Sequence, residues 1–342
     1  MSAASSDPAA MTGTGGPYFE DLSVGDTARS APSLTLTAGH AATHQSIVGD
    51  RLRLPLDAEL SRRVLGADSA LAHPALVCDV SIGQSTVLTQ RVVANLFYRG
   101  LVFRRAPVIG DTLQTVTTVT ALRQNSRRQG RATTGLAALH IVTTDQVGRA
   151  VLDYWRCAML PLRDPDADTP YHDDLDAISP ALDSVALRRT TADWDLGALR
   201  ADADGPFAAD LQPGSAWTGI GGSVVSSAPE LARLSLNVAT AHHDRSAGAT
   251  GRRLVYGGHT IGMAAAHIAL ALPNLATIVA WERCDHLAPV FEGDTLFSDV
   301  TLEHVEPLTD GALVHVRARV RSVRDGADPC DVLDWRLIGV HP

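Results

Sequence analysis

The sequence contains few cysteines, and none of them are spaced like the ligands of a metal or the partners in a disulfide framework. Four cysteines occur in 342 residues, at Cys78, Cys157, Cys284 and Cys330, and no two of them form a C-x-x-C pair. A reducing compartment therefore fits best, and we predict a cytoplasmic protein. We expect no bound metal, because the only clustered candidates, His242, His243 and Asp244, are consecutive residues whose side chains point in different directions.

Long apolar segments and an excess of positive charge are also missing. No run approaches the roughly 18 apolar residues of a membrane helix, and the net charge of −9 gives no general attraction for nucleic acid. Neither a membrane nor a nucleic acid is therefore expected as a partner.

The first 17 residues lack the basic and apolar regions of a signal peptide, so we predict a disordered tail, with Met11 as an alternative start. No glycine-rich nucleotide pattern occurs, and no cofactor is expected.

An internal repeat is the most informative feature that the sequence does contain. Residues 106–113, Ala-Pro-Val-Ile-Gly-Asp-Thr-Leu, return with one insertion at 288–296, and Val-Leu-Asp at 151–153 returns at 332–334. The offsets are nearly equal, since Asp111 corresponds to Asp294 and Asp153 to Asp334. Two matches in nearly the same register indicate that a unit as long as a domain has been duplicated.

The length agrees with two units, because a domain usually has roughly 100–200 residues. We predict a tail at 1–17, an N-terminal unit at 18–163, a linker at 164–205 that is rich in Asp and Pro, and a C-terminal unit at 206–342. A short helix is expected in the linker near 182–187.

Each unit is predicted to contain one helix followed by long strands. Apolar residues recur every three to four positions in 255–272, which is typical of a helix, whereas 115–120, 139–143 and 313–321 are β-branched or alternate apolar with polar residues. Turn dipeptides at Gly110-Asp111 and Gly293-Asp294 precede such runs. The predicted fold class is α+β, an antiparallel sheet around a helix, made twice.

Several segments taken together resemble the MaoC-like dehydratases, which have the hot-dog fold, a long helix wrapped by an antiparallel sheet. Residues 18–26 resemble the opening strand and turn of that fold. Segments 94–98, 106–108, 125–126, 151–154 and 252–259 are similar to the double hot-dog mesaconyl-CoA hydratases, also called β-methylmalyl-CoA dehydratases. The resemblance covers most of the chain from Tyr18 onward. It implies reversible hydration of an enoyl-CoA, with mesaconyl-CoA or a related branched, carboxylated acyl-CoA as substrate.

Hydration of an enoyl-CoA requires a base that activates water, an acid that protonates the α-carbon, and donors that stabilise the thioester oxygen. In the family that the sequence resembles, an Asp and a His five residues later supply the first two. Asn237 and His242 have this spacing here. Asn cannot take a proton, so we expect Asn237 to hold the water, His242 to be the general acid/base, and Asp244 to fix its tautomer.

In the family that the sequence resembles, a backbone N–H at the start of the central helix meets the third requirement. The glycines at 257 and 258 precede the long apolar helix, and a helix N-terminus presents free N–H groups and a partial positive charge. We therefore expect the Gly258 N–H to polarise the thioester carbonyl.

The N-terminal unit does not carry the same residues. Five residues beyond Asp50 stands Pro55, and the nearest histidines, His40 and His44, precede it. We therefore predict one degenerate half that binds and one active half, with a groove between them for the acyl-CoA. The residues expected to contact the CoA phosphates are Arg127, Arg128 and Arg131, beside Asn125, because guanidinium groups make bidentate contacts to phosphate; ordinary surface arginines are the alternative.

Two other functions remain open at this point. A hot-dog thioesterase would be favoured by a carboxylate on the central helix, and 261–272 contains none. A non-catalytic acyl-CoA binding protein stays possible because the usual Asp is replaced by Asn.

The oligomeric state is also open: two units in one chain supply the pair that single-domain relatives make by dimerising, so a monomer and a homodimer both fit.

Overall fold

The computed structural model describes residues 15–29, 31–247 and 251–342. Most of the segment predicted to be a disordered tail, residues 1–14, lies outside the described residues. Residues 15–17 are described, and the Gly16 carbonyl accepts a hydrogen bond from Arg91 Nε at 3.0 Å.

The first half consists of short helices, one central helix and a meander of long strands. Its elements are β1 (Thr27–Ala28), β2 (Leu34–Thr35), α1 (Ala38–Val48), α2 (Arg53–Leu56), α3 (Ala58–Leu65), α4 (Pro74–Ser85), β3 (Ala94–Phe103), β4 (Thr112–Gln124), β5 (Thr134–Thr144) and β6 (Ala150–Pro161). Helix α4 is the central one. It begins where it does because the His73 side chain accepts a hydrogen bond from Ala75 N–H, and Pro74 is suited to the first helical position.

A connecting segment with α5 (Ser184–Thr191) and α6 (Leu196–Ala201) follows, and the second half then repeats the order of the first. Its elements are β7 (Ala216–Val224), α7 (Ala228–Leu234), α8 (Gly257–Ala271), β8 (Thr277–His286), β9 (Thr295–Leu308), β10 (Gly311–Val323) and β11 (Cys330–His341). The predicted long helix and the strands predicted at 115–120, 139–143 and 313–321 are confirmed, whereas 18–26 contains a short 3₁₀ helix at Phe19–Asp21 in place of the expected opening strand. The helix expected near 182–187 begins at Ser184 because the Asp183 carboxylate caps its N-terminus, accepting from Ala186 N–H.

The repeated Gly-Asp turns have the same structure in both halves. Asp111 Oδ2 accepts the backbone N–H three residues before it at 2.8 Å, and Asp294 Oδ2 does the same at 3.0 Å. Each carboxylate also pairs with an arginine, Arg105 or Arg324. The repeat therefore preserves the residues that close the turn into a long strand.

All pairings in the sheet are antiparallel, in the order β1-β4-β5-β6-β3-β8-β11-β10-β9-β7, with β2 added beside β4. The two halves join where β3 pairs with β8, for example Tyr98 opposite Cys284. The continuous sheet curves around α4 and α8, which contact each other in the main hydrophobic core. The predicted α+β class, with one wrapped helix in each half, is confirmed.

The connecting segment contributes to a second hydrophobic core. Leu187, Leu196 and Leu199 cluster with Val102 and Val279, away from the core that contains the central helices. The segment therefore packs across the junction of the halves, and the predicted domain boundaries themselves stay a prediction. None of the described helices is long and apolar enough to cross a membrane.

Candidate active site

A cavity of about 640 Å³ lies where the two halves meet. Its polar lining comes from both halves: Tyr18, Thr86, Gln90, Arg91, Asn95, Tyr98 and Arg156 from the first, and Asn237, Thr240, His242, Arg252, Tyr256, Thr260 and His286 from the second. Three arginines line it, whereas no Asp or Glu is found among its described lining residues. The cavity is therefore electropositive in a chain whose net charge is −9.

The segment that carries Asn237 and His242 lies between α7 and α8 and is held by the first half. Val238 N–H donates to Thr86 Oγ1 at 3.0 Å, and Thr240 N–H donates to the Gln90 carbonyl at 2.9 Å. Both acceptors follow the end of α4. The first half therefore positions the residues that were expected to be catalytic.

A glycine in α4 permits this close approach. A Cβ atom at Gly83 would lie 1.7 Å from the Ser235 carbonyl oxygen, so no side chain fits there without displacing the segment. The backbone of the segment that carries Asn237 and His242 thus packs directly on that of the helix.

His242 is buried, and its ring is fixed by a backbone acceptor. Its Nδ1 lies 3.0 Å from the Leu254 carbonyl oxygen, and a carbonyl can only accept, so Nδ1 carries the proton and Nε2 keeps its lone pair. Burial lowers the pKa of His242 to about 4, which keeps the ring neutral at pH 7. The prediction that Asp244 fixes this tautomer is wrong, because Asp244 is exposed and accepts hydrogen bonds from Ser246.

Asn237 presents a donor to the cavity. Its Oδ1 accepts from Ala239 N–H at 2.9 Å, and among the described residues no acceptor lies within hydrogen-bonding distance of Nδ2. The His243 ring contacts the Asn237 carbonyl oxygen through Nε2 at 2.6 Å and braces the backbone. A water that accepts from Asn237 Nδ2 would thus have its own hydrogens free for an acceptor such as His242 Nε2.

The N-terminus of α8 reaches the same cavity. Gly257 lines it, and a Cβ there would lie 2.6 Å from the His286 ring. A Cβ at Gly258 would lie 1.9 Å from Asp79 Oδ1, so both positions require glycine. First-turn N–H groups have no partner within a helix. The role of the Gly258 N–H as the donor to the thioester oxygen stays a prediction. Of the two glycines, Gly257 is the one that lines the cavity.

The sequence did not point to several lining residues. His286, at the end of β8, packs edge-on against Tyr98, and burial lowers its pKa to about 4. Arg156 was not singled out either, although it occupies an inward position of β6, where an apolar residue is normal. A charged residue at a strand position where an apolar residue is expected was the sequence signal that could have identified Arg156.

The predicted CoA ligands are not brought to the cavity. Arg127, Arg128, Arg131 and Asn125 lie between β4 and β5, outside its lining. Arg127 pairs with Asp168 at 2.9 Å, and Asn125 Nδ2 donates to Thr134 Oγ1. Their contact with CoA phosphates stays a prediction.

In the first half, two histidines near Asp50 each lie beside a buried carboxylate. His73 Nε2 lies 3.0 Å from Asp50, and His44 Nε2 lies 3.4 Å from Asp79. All four side chains are buried and none lines the cavity. The site therefore uses the first half for its shape and its cationic lining.

No protein-family profile matches the chain, but curated relatives do. It is 32% identical to the β-methylmalyl-CoA dehydratase of Chloroflexus aurantiacus, over 94% of this chain and 91% of the relative. It is 28% identical to the mesaconyl-CoA hydratase of Cereibacter sphaeroides, over 93% of this chain and 92% of that protein.

Solved structures agree with this relationship. A conserved hypothetical protein of Mycobacterium tuberculosis with a double hotdog fold is 49% identical, with a TM-score of 0.88 over 96% of this chain and 99% of that one. A protein described as a MaoC domain dehydratase of Chloroflexus aurantiacus is 27% identical, with a TM-score of 0.84 over 97% and 99%. This chain belongs to the MaoC-like double hot-dog hydratases and dehydratases, the family of β-methylmalyl-CoA dehydratase and mesaconyl-CoA hydratase.

Proposed function

We propose that this protein catalyses the reversible hydration of an enoyl-CoA, with mesaconyl-CoA and β-methylmalyl-CoA as the favoured pair. One observation carries the proposal. The lining of the cavity includes a neutral histidine, an amide and a helix N-terminus, and its described residues include no carboxylate that could serve as the base instead. The two named relatives act on this pair according to their names.

In the forward direction, His242 acts first as a base. Its Nε2 takes a proton from a water held by Asn237 Nδ2, while the water oxygen bonds to the β-carbon. The electron pair of the double bond moves onto the thioester oxygen. N–H groups at the start of α8 stabilise that oxygen, because they carry partial positive charge.

His242 then acts as the acid. The imidazolium returns its proton to the α-carbon as the thioester carbonyl reforms, so that one water has been added overall. A histidine whose pKa is about 4 gives up its proton readily once charged, and it is a weak base that depends on the oxyanion donors. Because one group performs both transfers, hydroxyl and proton add to the same face of the double bond.

The electropositive lining suits an anionic substrate. Arg91 and Arg252 are its more exposed arginines, and among the described residues neither forms a salt bridge. We assign the CoA phosphates to these two rather than to the β4–β5 loop, because they line the cavity and the loop arginines do not, and guanidinium groups bind phosphate oxygens. CoA is part of the substrate, and the proposal requires no other cofactor.

Thioester hydrolysis has less support. Helix α8 contains no acidic residue, and the acid of α4, Asp79, is buried against His44 and Gly258 outside the cavity. A carboxylate that could attack a thioester or activate water is thus missing from the described lining.

A spectrophotometric assay with purified protein tests the proposal. We expect hydration of mesaconyl-CoA, and a loss of about 10²–10⁴-fold in kcat in His242→Ala, the range for a general acid/base. His304→Asn, an exposed histidine on β9, should retain wild-type activity. CoA-ester binding without turnover would favour the non-catalytic function, release of free CoA would favour the thioesterase, and full turnover in His242→Ala would exclude His242 as the base.

A further inference from the structure

Arg156 is the most buried of the described arginines, with 2% of its surface exposed. Its NH2 group donates to Thr89 Oγ1 at 2.8 Å and to the Ser85 carbonyl at 3.3 Å, and NH1 donates to Asn95 Oδ1 at 3.4 Å. All three acceptors are neutral. Its Nε–H is buried and has no partner among the described residues.

A buried arginine without a carboxylate is costly, because the guanidinium does not lose its proton and an unpaired buried charge is poorly solvated. No carboxylate of the described residues lies within 4.0 Å of Arg156. The less buried Arg99 and Arg105, by contrast, pair with Asp285 and Asp111. The charge of Arg156 therefore lacks the compensation that the chain provides elsewhere.

A second unpartnered donor adjoins it. Asn95 Nδ2 is buried without an acceptor, and Asn95 lines the cavity together with Arg156. The orientation of the Asn95 side-chain amide is fixed, because Oδ1 accepts from the Arg156 guanidinium. In the reverse orientation the amide NH₂ would face the guanidinium N–H groups, and neither could accept a hydrogen bond. Two neighbouring donors, one of them charged, are thus buried in one part of the cavity wall without an acceptor among the described residues. A carboxylate matches both.

This place is linked to the catalytic segment. Arg156 contacts the carbonyl of Ser85, and the next residue, Thr86, holds Val238 beside Asn237. The donor pair and the water-holding residue therefore meet at the same end of α4. In β-methylmalyl-CoA the carbon that bears the hydroxyl also bears the free carboxylate, so a carboxylate site must lie near the bound water.

We propose that Arg156 and Asn95 bind the free carboxylate of the acyl group and select thioesters of dicarboxylic acids over neutral enoyl-CoAs. This inference rests on the proposed hydratase function and adds the residues that determine its substrate class.

The test compares two substrates that differ at one group, mesaconyl-CoA and 2-methylbut-2-enoyl-CoA, in which a methyl group replaces the carboxylate. In Arg156→Gln we expect kcat/KM for mesaconyl-CoA to fall by about 30-fold to 1000-fold, as when one partner of a buried charge pair is truncated. The value for the neutral substrate should change by less than about 3-fold, as expected where no charge pair exists. Arg189→Gln, an exposed arginine of α5, should alter neither.

Equal losses on both substrates in a folded Arg156→Gln protein would overturn the inference, because they would show that Arg156 only supports the end of α4. If that variant does not fold, Asn95→Leu replaces it and should also lower the preference for mesaconyl-CoA; an unchanged preference would overturn the inference. If the wild-type protein hydrates neither substrate, the proposed function itself fails. If the wild-type protein hydrates both substrates with equal kcat/KM, the carboxylate site is rejected, whereas the proposed hydratase function stands.

Discussion

At the residue scale, the proposed chemistry depends on the lack of a carboxylate among the described residues that line the cavity. In the Asp–His pattern of the family that the sequence resembles, the Asp is replaced here by Asn237, whereas the histidine is kept as His242. The described lining of the cavity contains no carboxylate that could take the place of that Asp. The Leu254 carbonyl fixes the tautomer of His242, and burial keeps the ring neutral. In the proposed mechanism, one histidine therefore carries the proton in both directions.

The role of Asn237 can be tested by restoring the family residue. Asn237→Asp keeps the acceptor for Ala239 N–H but replaces the Nδ2 donor with a charged oxygen, which repels an anionic substrate and the developing enolate. We expect kcat/KM for mesaconyl-CoA to fall by about 10-fold to 100-fold, somewhat less than loss of an oxyanion donor. Steady-state kinetics measure this, with Asn274→Asp, a buried Asn outside the cavity, as the matched control. A gain of activity would instead show that the Asn weakens an Asp-dependent enzyme.

At the scale of the elements, the duplication has produced halves with different tasks. Helix α4 brings no proposed catalytic side chain to the cavity, yet its end holds the segment that carries Asn237 and His242 through Thr86 and through contact at Gly83. Helix α8 brings its N-terminus. The half that carries Asn237 and His242 thus depends on the other half for the position of these residues.

Gly83→Ala tests this dependence. The new methyl group would lie 1.7 Å from the Ser235 carbonyl oxygen, so the segment that carries Asn237 and His242 must shift. A displacement of about 1 Å can cost roughly 100-fold in rate, and we expect at least that loss in hydratase turnover. Gly39→Ala in α1 is the matched control, because its Cβ would meet only Thr37 Oγ1 at 3.6 Å. Wild-type turnover in Gly83→Ala would contradict the positioning role of α4.

At the scale of the whole molecule, burial of histidine makes stability depend on pH. Burial lowers the pKa values of His242, His259, His267 and His286 from 6.5 to about 4. Between these values the unfolded chain binds more protons than the folded one, so the free energy of unfolding falls as the pH drops from 6.5 toward 4.

We therefore expect the thermal unfolding midpoint to be nearly constant above pH 7 and to fall steadily between pH 6.5 and 4. Each such histidine costs folding about 2 kcal/mol at pH 5 relative to pH 7. Calorimetry across this range measures the fall. His267→Gln, in a residue outside the cavity, should reduce its slope, and an unfolding midpoint that stays constant down to pH 5 would contradict the prediction.

The sequence was sufficient for the features that are encoded locally. The periodicity of 255–272 and the β-branched runs predicted the helix and strands because side-chain spacing reports directly on backbone geometry. The repeated Gly-Asp turns predicted the duplication because each closes its own turn with its own carboxylate. The spacing of Asn237 and His242 predicted two residues that do line one cavity.

What the sequence did not determine depends on contacts between distant residues. The tautomer of His242 is set by Leu254 rather than by Asp244, because a carbonyl twelve positions away folds back onto the ring. Arg156 belongs to a strand whose sequence reads as core, and only the pairing of β3 with β6 and the end of α4 shows that its charge is uncompensated. Local spacing thus determined the elements and the repeat, whereas the tertiary structure decided the protonation and charge of the site, since these depend on burial and on neighbours that the sequence keeps apart.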